Sequence, residues 1–220
     1  MTGAQAPKAE RPAAKKTADS EQPVLTEPEA IQYQVINDMA GVDSIVAAVL
    51  ATQQLSYLPV FDKSHYLQPQ WVGLAIASAP GNAWYIPFVS EAEAGLDRVE
   101  VFAKLTPLFE QHAIVKTGYD IKADYHWFNE QKLTPSRLEN DVQVMAFVYD
   151  STLKRNKKLS AHFSHLSLDN LALHYLQKEP KTIEDYLGKA GKRQLAVSAV
   201  SASEIGLWWA ERADFQLRLA

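Results

Sequence analysis

Cysteine is absent from the 220 residues. That absence excludes disulfides, thiolate nucleophiles, cysteine-ligated zinc and iron–sulfur clusters. A reducing, cytoplasmic setting is the expectation that fits. No apolar run approaches the ~20 residues needed to span a bilayer. The opening stretch MTGAQAPKAERPAAKK also lacks the apolar core of a secretory signal, so no membrane partner is expected. Excess positive charge is missing as well: 22 Lys+Arg stand against 26 Asp+Glu, a net charge of −4. Proteins that grip duplex DNA by bulk charge are usually basic, so any nucleic-acid contact here has to be local.

What the chain does have is a hydrophobic fraction of 47% with 22% charged residues, enough for one well-packed domain with a tail. Residues 1–30 hold seven Ala, four Pro and no aromatic residue, and read as a flexible linker or tail before a domain at 31–220. Residues 34–36 are a short strand candidate, and Asp38 or Asp43 can cap a helix running through Ile45, Val49 and Leu50. The runs LPVF (58–61), WVGLAIA (71–77) and AWYIPF (83–88), the last two joined by the turn signal SAPGN, read as an antiparallel meander. Residues 99–111 carry a helical period interrupted by Pro107, which predicts a kink or break. A strand at 113–117 precedes helical stretches at 121–130, 140–149, 166–176 and 203–219. Strands followed by interspersed helices predict a mixed α/β layered fold.

Several of these stretches, in this order, resemble one family. They are VFD (60–62), WVGLAIA (71–77), GNAWYIP (81–87), VKTGYDIKADY (115–125), NDVQVMAFVYDST (140–152), LDNLALHYL (168–176), KTIEDYLGKAGKRQ (181–194) and WWAERADFQLRL (208–219). The chain resembles the 3′–5′ exonuclease, or proofreading, domain of bacterial family A DNA polymerases. The resemblance implies an RNase H-like fold of the DEDD exonuclease type, a mixed sheet flanked by helices. It implies that residues 1–30 join an upstream nuclease domain, that a polymerase domain begins near Ala220, and that the setting is DNA replication and repair.

Such nucleases cleave phosphodiesters with two divalent ions held by converging carboxylates. The resemblance places the family's four acids and one tyrosine on this chain one by one. The first Asp falls on Asp62 and the central helical Asp on Asp124, and both are kept. The Glu two residues after the first falls on Ser64, the last Asp on Arg212, and the Tyr four residues before it on Trp208. Two of four carboxylates therefore remain, and one position carries a cation. An Arg–carboxylate contact at ~4 Å and an effective dielectric of ~20 is worth about 4 kcal/mol before desolvation. The expectation is that Arg212 neutralises Asp62 and Asp124 where metal would sit, leaving a degenerate, inactive site. No cofactor is then expected, with Mg2+ or Mn2+ at Asp62 and Asp124 if activity persists. Glu211 and Asp214 diverge from Arg212 by about 100° and 200° around the helix, whereas Trp208 shares its face.

Two further readings stay open beside the inactive one: an active exonuclease with an unforeseen third ligand, and a module that captures single-stranded DNA without cutting it. Lys189, Lys192 and Arg193, set among Gly188 and Gly191, are the candidate phosphate contacts. Residues 154–158 (KRNKK) read as a solvated loop, Asp141 as a helix cap, and the five tryptophans as core rather than stacking platforms. His162 and His165 lack an evident third ligand for a metal.

Overall fold

The structure, a computed structural model, describes residues 28, 30–62, 70–88, 95–179, 181–191 and 193–220. Residues 1–27, expected to form the tail, lie outside the described residues. Six strands form one sheet: β1 (Gln32–Val35), β2 (Gln54–Phe61), β3 (Trp71–Ala79), β4 (Asn82–Pro87), β5 (Val115–Gly118) and β6 (Leu138–Asp141). Their spatial order is β1-β4-β3-β2-β5-β6. The antiparallel meander is β2-β3-β4, while β1 joins β4, and β5 and β6 add to β2, all in parallel. This is the mixed sheet expected from the resemblance.

Strand periodicity decides what covers each face. On β3, Trp71, Leu74 and Ile76 point toward α1 (Met39–Thr52), α2 (Arg98–Glu110) and α3 (Ile121–Glu130), in a core with Ile45, Val49, Leu105 and Phe109. Val72, Ala75 and Ala77 point the other way, under α7 (Ala202–Leu219). That second face is small-residued, so the last helix approaches closely. A Cβ on Gly206 of α7 would lie 2.7 Å from Val35 Cγ2 and 2.8 Å from Tyr85 Cδ1.

The remaining helices are α4 (Val142–Tyr149), α5 (Leu168–Tyr175) and the short α6 (Glu184–Leu187). Asp38, rather than Asp43, caps α1, its carboxylate accepting the Gly41 N–H at 2.7 Å. Asp141 closes β6 and caps α4, accepting from Gln143 N and Val144 N as expected.

Two expectations need correcting. The stretch 140–149 begins as strand, because the register of β6 on β5 extends to Gly118↔Asp141. And α2 is not broken at Pro107. Proline deprives the Ala103 carbonyl of a partner, but Ala103 is exposed, and the buried Leu108 and Phe109 hold the last turn in the core.

Candidate functional site

β2 and β5 run parallel, so the carboxyl ends of both strands, and the residues that follow them, lie at one edge of the sheet. A bulge between Val60 and Phe61 ends the regular pairing of β2 just before Asp62. Asp62 is half-buried; its backbone N–H donates to Gln70 O, and its Oδ1 accepts the Ser198 N–H at 3.0 Å. Ser198 belongs to a 3-10 turn over Val197–Ala199, so the segment before α7 closes over this aspartate.

Asp124 lies in the first turn of α3 and is 7% exposed. Its Oδ1 accepts the indole N–H of Trp127 at 2.9 Å, one turn further along the same helix. Burial pushes the carboxyl up to about 7, with the donors Trp127 and Tyr57 pulling back and Asp120 and Asp141 pushing further up. Burial and the neighbouring Asp124 also raise the Tyr57 phenol. Asp124 is thus a member of the aromatic core formed by Tyr57, Trp71, Phe109, Trp127 and Phe128.

Arg212 is 3% exposed. One guanidinium nitrogen, Nη2, donates to Asp169 Oδ1 at 2.6 Å and to the Lys181 carbonyl; the other, Nη1, donates to Glu211 Oε2 at 2.7 Å. The guanidinium carbon stands 3.8 Å from the ring centre of Trp208, the residue expected to share its face. Trp208 in turn donates its indole N–H to Lys181 O at 2.6 Å. Burial works against the charge on both Arg212 and Asp169, and each restores part of the other's preference for ionisation.

The expectation that Arg212 neutralises Asp62 and Asp124 is therefore wrong about its partners. The carboxylates on Arg212 are Asp169 and Glu211. Position 212 faces α5, whose first turn carries Asp169, and stacking on Trp208 one turn earlier fixes the side chain in that direction. Glu211 does reach Arg212 despite their 100° divergence, because both side chains are long enough to bridge it. Asp214 behaves as expected, facing away: it is fully buried and accepts from Tyr33 Oη at 2.8 Å and Gly81 N at 2.6 Å.

Asp169 is the residue that reading the sequence missed. Its only signal was an acid set within the apolar period of LDNLALHYL. Ser64 and Lys192 lie outside the described residues. Lys189 and Arg193 are exposed on a turn closed by Leu195 N to Leu187 O at 2.9 Å, in the same segment that continues to Ser198 over Asp62. Residues 154–158 are a loop, and four of the five tryptophans are buried. His162 faces Glu184 at 3.9 Å and stacks near Phe163. Among the described residues, no group of three or more His, Asp or Glu lies close enough to hold a metal ion.

The family model described as 3′-5′ exonuclease, of the DNA polymerase A type, matches residues 35–201. The chain belongs to that family. DNA polymerase I of Pseudomonas aeruginosa is 29% identical over 210 residues, 93% of this chain and 21% of that enzyme. DNA polymerase I of Chloroflexus aurantiacus is 28% identical over 148 residues, 67% of this chain and 14% of that enzyme. The chain thus spans about a fifth or less of these relatives. Among solved structures, the POL domain of Pol1 from M. smegmatis, in complex with DNA primer-template and dNTP, superposes with a TM-score of 0.54 at 17% identity, covering 84% of this chain and 26% of that one. Escherichia coli RNase D superposes at 0.53 with 14% identity, covering 86% and 45%. The catalytic core of RRP6 from Trypanosoma brucei superposes at 0.59 with 14% identity, covering 90% and 47%. These neighbours establish the DEDD-exonuclease, RNase H-like fold of the family domain. No helix among the described residues is long and apolar enough to cross a membrane.

Proposed function

We propose that residues 31–220 are an exonuclease-like domain that does not hydrolyse DNA and serves structurally beside an attached or neighbouring polymerase domain in DNA replication and repair. The observation that carries this reading is Arg212. At the position where the family resemblance calls for the last metal-binding acid, α7 presents a buried guanidinium already committed to Asp169, Glu211 and the Lys181 carbonyl. Arginine keeps its charge in such a setting, and a fixed cation repels divalent ions.

The other retained positions fit paired ions poorly. Hard divalent cations want several converging oxygen ligands. Asp124 has turned an oxygen to Trp127 and sits at about 7, where a carboxyl is half protonated at neutral pH. Asp62 gives one oxygen to the Ser198 amide. Two acids engaged by protein donors, with arginine in place of a third, are not a ligand set for two metals. Lys189, Lys192 and Arg193 remain the candidates for local contact with a phosphate backbone, the cytoplasm the expected setting.

The test is a nuclease assay on 3′-labelled single-stranded DNA with Mg2+ or Mn2+, with the P. aeruginosa polymerase as positive control. The expected result is no shortening above a no-protein background. Cleavage at a rate comparable to the control would overturn the reading. Calorimetric titration with Mn2+ is a second readout, expected to show no strong two-site binding.

A further inference from the structure

The sequence of α4, VQVMAFVY, contains no charged residue, and a helix apolar on all sides belongs in an interior. Yet Val142 is its only buried residue. Val144 is 55% exposed, Phe147 51%, Val148 77% and Tyr149 63%. Beside them lies a groove of about 520 Å³ lined by α4, by Leu171 and Tyr175 of α5, and by Leu219 and Ala220 at the end of α7. Scattered exposed hydrophobes are ordinary, but a contiguous set around a concave apolar groove marks an interaction surface.

We propose that this α4–α5–α7 groove is the docking face for an apolar, helical segment of the polymerase portion of the protein, tethered next to Ala220. The proposal rests on the reading of a polymerase partner given above and names the surface that meets it. Two observations choose this occupant over a second copy of the chain. The four exposed side chains offer roughly 500 Å², well short of the ~800 Å² per partner typical of stable association between separate molecules. A tethered partner needs less area, because tethering supplies a high effective concentration. And Leu219 and Ala220 themselves form one wall of the groove, so chain joined there meets it at once. The DNA polymerase I relatives do extend far beyond the matched stretch, which is 21% of the P. aeruginosa enzyme.

The experiment joins Ala220 to the polymerase portion of the P. aeruginosa enzyme and follows amide hydrogen exchange across the 220-residue part, against the same chain unjoined. The expected result is at least tenfold slower exchange over α4 in the joined protein, abolished by Val148→Glu, with circular dichroism unchanged in that variant. Slowed exchange confined to other elements would overturn the docking face while leaving a polymerase partner in place. No slowing anywhere would overturn both. Sedimentation of the unjoined chain provides the remaining control: monomer at tens of micromolar is expected, and a dimer broken by Val148→Glu would overturn the proposal in favour of a second copy.

Discussion

Arg212 of α7 and Asp169 of α5 meet at 2.6 Å inside the protein, with Arg212 3% exposed and Asp169 8%. The pair ties the last helix to a helix that the sheet does not touch directly, and it occupies the face of α7 where the family resemblance calls for a metal-binding acid. Its chemistry is that of a closed, protein-internal charge pair.

Removing one member should cost much more than removing both. Asp169→Leu leaves the buried guanidinium only Glu211 as a counter-charge, with an expected loss of about 3–5 kcal/mol. The double variant Asp169→Leu, Arg212→Met removes both charges and should recover much of that loss. Urea denaturation of the wild type, the two single variants and the double variant measures the coupling directly.

Restoring the missing acids tests the site from the opposite direction. Ser64→Glu combined with Arg212→Asp should yield magnesium-dependent shortening of single-stranded DNA from its 3′ end, measurable above the wild-type background. The gain should depend on Asp62 and Asp124. Recovery in Ser64→Glu alone would show that Arg212 does not block the site.

Asp124 should make stability fall as pH rises through neutrality. Its folded value, about 7, lies above the ordinary value of 3.8, so the folded state binds the extra proton between those limits. Its favourable contribution is complete below pH ~4 and is lost as pH climbs through 7. Asp124→Asn stays neutral throughout. Relative to that variant, the wild type should lose about 1–3 kcal/mol between pH 4 and 8, read by denaturation at a series of pH values.

Lys116 acts with the opposite slope at higher pH. Its ammonium is buried, donating to the carbonyls of Gln111 and Ile114 and to Ser136, and burial, helped by Arg137, lowers it to about 8. Between 8 and 10.5 the unfolded chain holds the proton that the folded chain has released, so stability rises with pH across that window. The buried phenols of Tyr33 and Tyr57, both raised, reverse the trend above pH ~10. The difference between wild type and Lys116→Met should isolate the rising limb.

Gly206→Ala tests the close approach of α7 to the sheet. The helix gains propensity, about 1 kcal/mol. But the new methyl meets Val35 and Tyr85 at 2.7–2.8 Å, and neither is a flexible chain end. Overpacking of that kind costs about 1–3 kcal/mol, so a net fall in melting temperature is expected.

The sheet, the helices and the family were legible because they rest on local signals: β3 alternates, Asp38 and Asp141 stand at helix starts, and the stretches from 60 to 219 keep their order. The side-chain partners at the site were not, because they depend on which face of one helix meets another. Helical rotation correctly sent Asp214 away from Arg212 and put Trp208 beneath it. It could not show that α5 would bring Asp169 up to position 212, since the two lie 43 residues apart. Nor could it show that Trp127 would hold Asp124 within the core. The parallel strands β1 and β6 were obscured for a similar reason: four-residue strands carry little periodicity, and pairing decides their limits.

The bond from Tyr33 to Asp214 links residues 181 positions apart, and the same carboxylate holds the Gly81 turn. A polypeptide leaving the ribosome in order makes β1 and that turn long before α7 exists. Until the last helix arrives, the alanine face of β3 and β4 has no cover, and the acceptor for the tyrosine hydroxyl has not been synthesised. Maturation of this domain is therefore tied to the end of its translation, and the half-built sheet is the species most in need of protection from aggregation.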